Sequence, residues 1–151
     1  DLPPVTGDIQ LTLAQKVPVC GAVIVTTPQD IALLDVTKAI SMFERVKVPI
    51  LGIIENMSMH TCSNCGQQEH IFGSDGGVNL AAAHKTCVLG SLPLARRIRE
   101  LSDAGQPLVI SEPDSAHAQI FLDIARNLAA VIAKLPRNLN VPLGNLVIEE
   151  N

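Results

Sequence analysis

Val19-Cys20-Gly21-Ala22-Val23-Ile24-Val25, closed by Thr26-Thr27-Pro28-Gln29 and followed from Asp30 by a helical pattern, is the stretch that decides the fold. A short continuous apolar run is what a strand buried on both faces requires, because neither face turns toward water. Asp30 can cap a helix from about Ile31 to Val46, and Leu33, Val36, Ile40 and Phe43 recur on one face of it. Val48-Pro49 closes that unit, and Ile50-Leu51-Gly52-Ile53-Ile54 reads as a second buried strand. Strand, helix and strand in this order predict a parallel pair joined by a helical crossover.

Outward from this unit the pattern continues. Glu55 to Gly73 is a polar excursion loop, Gly76 to His84 a short helix, Cys87-Val88-Leu89-Gly90 a third strand and Leu94 to Asp103 a further helix. Ser115 caps a last helix with Ile120, Ile124, Leu128 and Val131 along one side, and Pro136 stops it. The tail, Arg137 to Asn151, is interrupted by Pro142, while Leu146-Val147-Ile148 can add an edge strand. The expected fold class is α/β, a parallel sheet with helical crossovers and with sites at the carboxyl ends of its strands.

The chain has 151 residues, 47% hydrophobic and 17% charged, which is enough for one real core and excludes a disordered segment. A net charge of -4 offers no basic face for phosphates, and three Phe without Trp or Tyr leave little for base stacking, so no nucleic-acid partner is expected. Asp1 to Gln10 has neither the positive start nor the apolar stretch of an export signal. The most apolar run, Val17 to Thr27, is too short to span a bilayer and is broken by Pro18 and Gly21, so no membrane partner is expected and the cytoplasm is the predicted location. Of the four cysteines, Cys20 and Cys87 sit in apolar runs, where a thiol behaves as a small buried hydrophobe. Cys62 and Cys65 form a tight CxxC, which without an export signal favours metal or redox chemistry over a disulfide framework.

Four segments carry chemistry. Asp1-Leu2-Pro3-Pro4-Val5-Thr6-Gly7-Asp8 sets a carboxylate before a rigid turn and a glycine-containing loop. Asp1 can hold Mg²⁺ or its water while backbone N–H groups near Thr6 and Gly7 face a terminal phosphate; an exposed N-terminal turn is the competing reading. In Glu55-Asn56-Met57-Ser58 the Asn56 amide can both donate to and accept from an adenine edge, or it can hold its own turn. In Cys62-Ser63-Asn64-Cys65-Gly66 two thiolates can bite one metal atom. His60 and His70 can complete a zinc site within one chain, two chains can share a four-thiolate site for zinc or an iron–sulfur cluster across a two-fold axis, or the pair can be a redox dithiol. In Gly90-Ser91-Leu92-Pro93-Leu94 a strand end turning over Pro93 can line a nucleotide base or simply connect strand to helix. Arg96, Arg97 and Arg99 with Glu100 read as a solvated helix face, and His84 and His117 carry no role.

In their order these segments resemble the Mrp/ApbC family of iron–sulfur cluster carrier ATPases, within the deviant-Walker P-loop group that also holds MinD and ParA. The matching stretches are Asp1–Asp8, Val23–Gln29, Glu55–Ser58, Cys62–Gly66 and Gly90–Glu100. The resemblance implies a P-loop NTPase fold, with residues 1–135 as the C-terminal part of that domain and 136–151 as a tail. It implies Asp1 as the carboxylate near Mg²⁺ and Pro4 to Asp8 as the phosphate-sensing switch, so that Asp1 and Asp8 are the catalytic candidates. Asp1, Thr6, Gly7, Asn56 and Pro93 become the candidates for binding ATP. Cys62 and Cys65 would hold a [4Fe–4S] cluster bridging the two subunits of a homodimer, for delivery to apo-proteins with the help of assembly factors, with zinc an alternative occupant as isolated. A zinc-binding interaction module and a relative of the partition and septum-positioning ATPases are the competing functions.

Two departures qualify the resemblance. Val5 stands where the family's switch has glycine, and a β-branched residue does not readily take φ > 0. No G-x-x-x-x-G-K-[ST] phosphate loop occurs in these 151 residues. The sheet is therefore expected to lack its first strands, leaving an apolar edge through which the chain self-associates. ATP titrated into the 151-residue chain in a calorimeter is expected to give no binding isotherm at micromolar affinity; a micromolar Kd would contradict this.

Overall fold

Ile24 and Ile53 face each other across two parallel strands, and the sheet is built around that contact. The structure is a computed structural model and describes Thr12, Lys16, Val17 and residues 19–136. Among these residues β1 (Ala22–Thr26), β2 (Ile50–Glu55) and β5 (Val88–Ser91) form one sheet in the order β1-β2-β5, with both pairings parallel. Between β2 and β5 the chain also makes a small antiparallel hairpin of β3 (His60–Thr61) and β4 (Gln68–Glu69). The residue 1–11 candidates and the 137–151 tail, including the expected edge strand at 146–148, lie outside the described residues.

Crossover helix α1 (Asp30–Arg45) joins β1 to β2, and α2 (Gly76–Ala83) returns the chain from the hairpin to β5. Their apolar faces close on the sheet: Ile24, Ile40, Ile53, Leu80 and Ala81 are buried together, with Leu33, Val36, Phe43 and Val88 packed around them. Ile40 and Ile53 are completely buried, the environment in which a truncation costs most. The helical spacing of Leu33, Val36, Ile40 and Phe43 is thus the core face of α1, as expected. Three further helices follow, α3 (Arg96–Asp103), the single turn α4 (Leu108–Ser111) and α5 (Ala116–Ala133). Leu101, Leu108 and Ala118 make a second small core between them, with Ile98 and Phe121 packed against it. Helix α5 lies along β5 and β2, and its Asn127 side-chain amide donates to the Leu89 carbonyl at 2.8 Å. Ser115 caps α5 as expected, its hydroxyl accepting the Ala118 N–H at 3.1 Å.

Several local expectations are corrected. Asp30 does not cap α1: Gln29 is the extended residue before the helix, and Asp30 is already in the first turn, where its carboxylate faces the positive end of the helix dipole. Helix α3 begins at Arg96 rather than Leu94, because Ala95 remains extended. Cys20 and Cys87 are exposed, not buried, since each precedes its strand rather than lying inside it. Cys87 instead donates its thiol to the Leu51 carbonyl at 3.7 Å. No described helix is long and apolar enough to cross a membrane.

The entry to α2 is closely packed against backbone. Glu55, buried at the end of β2, accepts the Gly77 N–H through Oε2 at 2.6 Å. Next to it Gly76 lies so close to β1's exit turn that an added Cβ would stand 2.8 Å from both Cα and O of Pro28. Backbone cannot yield there as a flexible side chain would, so Gly76→Ala is expected to destabilise the fold by about 1–3 kcal/mol, read as a lower midpoint in urea unfolding with an unchanged slope.

Candidate functional site

All three parallel strands end on the same side of the molecule, and their exit loops are stitched to one another. The Asn56 N–H donates to Thr26 O at 2.6 Å, tying the β2 exit to β1. The Leu92 N–H donates to Glu55 O at 2.8 Å, and the Ser58 N–H returns to Leu92 O at 2.9 Å. The Ser58 hydroxyl donates to that same carbonyl at 3.1 Å, and the Leu94 N–H reaches Met59 O at 2.8 Å. Backbone pairing thus runs on past the sheet, which brings Asn56 and Pro93 onto adjoining loops.

Asn56 uses its side chain in one of the two ways considered, to hold its own turn. Its Oδ1 accepts the N–H of Met57 at 2.9 Å, supporting the left-handed backbone of that residue at φ 56°. The oxygen is spent on the turn, which leaves the amide nitrogen as the group able to donate to an acceptor on a base. Pro93 is half-buried between two residues whose backbones are both engaged, so its ring is a fixed apolar wall. Asp1, Thr6, Gly7 and Asp8 lie outside the described residues.

The dithiol sits at the tip of the β3–β4 hairpin, inside the stretch whose polar pattern predicts only a loop. His60 pairs with Glu69 and Thr61 with Gln68. Beyond them the Cys62 N–H donates to Gln67 O and the Gly66 N–H to Cys62 O, both at 2.9 Å. Gly66 takes φ +74°, a left-handed conformation that closes the turn and that a side chain would strain. This winding turns backbone N–H groups toward the Cys62 sulfur. The Cys65 N–H and then the Asn64 N–H, with the Cys65 thiol, hold the Cys62 thiol below its ordinary pKa, against slight desolvation and the Glu69 carboxylate. Cys62 is half-buried and Cys65 exposed, so the sulfur pair faces outward.

His60 and His70 do not join the thiols. Among the described residues no group of three or more His, Cys, Asp or Glu side chains converges on a common point. Each ring is directed instead at a backbone carbonyl, His60 Nδ1 at Leu94 O (3.2 Å) and His70 Nδ1 at Ser58 O (2.7 Å). The zinc site completed within one chain is therefore not assembled. Arg97 pairs with Glu112 and Arg99 with Asp103, both in solvent, as a solvated helix face requires. His84 stands at the other end of the sheet, 3.5 Å from Glu44, and both line a shallow cavity of about 310 Å³. Sequence reasoning missed the carbonyls of Ser58, Leu92 and Leu94 as structural partners, and no residue-type signal marks a main-chain acceptor.

Parallel strands with helical crossovers, stitched exit loops at their carboxyl ends and a dithiol hairpin rooted in those loops define the class: an α/β protein of P-loop NTPase type. Residues 1–129 match the family described as ParA: NUBPL iron-transfer P-loop NTPase, and the chain belongs to it. It is 58% identical over 125 residues to the iron-sulfur cluster carrier protein of Pseudomonas fragi, covering 83% of this chain and 44% of that one. It is 58% identical over 130 residues to the protein of the same name from Escherichia coli K12, covering 86% and 35% respectively. With the mouse iron-sulfur cluster transfer protein NUBPL it shares 48% over 136 residues, covering 90% and 43%. The chain thus spans well under half the length of these relatives. Among solved structures it is similar to a nucleotide-binding protein in complex with ADP from Archaeoglobus fulgidus, with TM-score 0.63 and 38% identity over 80% of this chain and 48% of that one. The cell division ATPase MinD of Pyrococcus furiosus shares the fold, with TM-score 0.58 at 22% identity over 74% of this chain and 43% of that one.

Because the Cys62 thiolate is favoured by N–H groups that exist only in the folded turn, its alkylation depends on folding. Iodoacetamide labelling followed by peptide mass spectrometry is expected to reach half its maximal rate at Cys62 at a lower pH in the folded chain than in urea. Gly66→Ala, which strains the turn by about 1 kcal/mol, is expected to narrow that difference.

Proposed function

We propose that this chain is the cargo-bearing part of an iron–sulfur cluster carrier, in which Cys62 and Cys65 hold a [4Fe–4S] cluster together with the same pair from a second subunit. The observation that carries this reading is the hairpin tip: two outward-facing sulfurs in one turn, with no third ligand converging on them among the described residues. A tetrahedral or cubane site needs four ligands, and a two-fold axis supplies two more thiolates of the same kind. The exposure of the pair suits delivery, since an apo-protein's thiolates must reach the cluster to take it over. The names of the relatives, cluster carrier and cluster transfer protein, support the same assignment.

The longer protein of which such chains form part binds and hydrolyses ATP with Mg²⁺ in this reading. Asn56 and Pro93 line the base, its amide nitrogen donating to a ring acceptor. Asp1 stands at the metal, Thr6 and Gly7 at the terminal phosphate, and Asp8 in the switch. The ADP complex of the Archaeoglobus relative supports a nucleotide at this rim. Residues 1–135 then form the C-terminal part of the NTPase domain, acting as a homodimer in the cytoplasm, where reducing conditions keep the dithiol available. Recipients are apo iron–sulfur proteins, and neither nucleic acid nor membrane takes part.

Anaerobic reconstitution with ferrous iron and sulfide is the test. A brown chromophore with about two irons per chain is expected, and its loss in both Cys62→Ala and Cys65→Ala. Stoichiometric zinc that survives these substitutions and depends on His70 would replace the carrier reading with a zinc-binding module.

A further inference from the structure

A hairpin of two residues per strand is marginal on its own in water, and most of this one is exposed. Something must nevertheless hold its two sulfurs at a fixed angle if they are to meet a second pair across an axis, because metal sites tolerate displacements of only about 0.5 Å. The scaffold supplies two side-chain bonds for this, one on each leg. On the incoming leg His60 Nδ1 lies 3.2 Å from Leu94 O, and on the outgoing leg His70 Nδ1 lies 2.7 Å from Ser58 O. A carbonyl has no proton to give, so in both rings Nδ1–H is the donor.

Both acceptors belong to the same stitched pair of loops. Ser58 is bound to Leu92 O through N–H and hydroxyl, and Leu94 to Met59 O through its N–H. His60 therefore fastens the hairpin to the loop that carries Pro93, and His70 fastens it to the β2 exit loop stitched to that one, neither of them to the hydrophobic core. We propose that His60 and His70 are positioning residues for the cargo site: they set the orientation of Cys62 and Cys65 relative to the nucleotide rim without ligating metal. The proposal rests on the carrier reading for what the sulfurs hold, but the fastening itself is independent of any metal.

Two measurements on the full chain test it. In the metal-free chain, amide hydrogen exchange of peptides covering 59–70 is expected to quicken by about three- to tenfold in His60→Ala and in His70→Ala, the loss of one net hydrogen bond. Exchange of β2 should be unchanged. His60→Asn and His70→Asn should restore the rate, because the Asn amide nitrogen occupies the place of Nδ1 and cannot act as an imidazole ligand. In the iron-loaded chain the double alanine variant should still form the chromophore but lose iron to a chelator about tenfold or more faster, and the double asparagine variant should retain it. Alanine variants that exchange and lose iron like the wild type would overturn the proposal. So would alanine defects that asparagine does not repair, which mark a ligand, or loss of protection in β2, which marks a part of the core. If the wild type takes up no iron, the carrier reading fails while the exchange measurement still decides the fastening.

Discussion

Leu92 spends both of its backbone polar groups on the loop that leaves β2, giving its N–H to Glu55 and taking the N–H and hydroxyl of Ser58 on its carbonyl. Everything at the carboxyl rim depends on this exchange. Parallel strands normally part company where they end, and their exit loops must then find partners for each orphaned N–H and C=O. Here the loops satisfy one another. The result is a platform that holds the loops of Asn56 and Pro93 together and roots the dithiol hairpin, although the residues involved are mostly apolar or small. The platform in turn is level with the core because Glu55, the last residue of β2, is buried and bonded to the Gly77 N–H at the start of α2.

The chemistry of the tip follows from the winding of a few backbone bonds. Gly66 takes a left-handed conformation, the chain doubles back, and N–H groups from Cys65 and Asn64 turn toward the Cys62 sulfur. Those donors favour the thiolate, which is the form that binds soft metals. A fully buried dithiol would have been protected from oxidation but closed to exchange. An exposed one on a fixed turn keeps its sulfurs available while holding their orientation.

The sheet was legible in the sequence because parallel strands buried on both faces must be continuous apolar runs, and the chain contains three of them. The face of α1 and the Ser115 cap of α5 were legible for equally local reasons. The start of α1 was misplaced by one residue, since an acidic side chain suits the first turn as well as the cap, and only the extended backbone of Gln29 separates the two. Helix α4 is a single turn and carries no periodicity. Asn56 was undecidable from its type alone, because an amide has one atom for its own turn and another for a ligand. His60 and His70 were grouped with the thiols on proximity in sequence. Their real partners are carbonyls 34 and 12 residues away, which any residue type can offer.

That last circumstance has an evolutionary side. The side-chain bonds of His60 and His70 to the platform end on the carbonyls of Leu94 and Ser58, groups that every amino acid possesses. Side chains on the platform can therefore drift without unseating the part that carries the sulfurs. The two halves of the site are free to diversify separately.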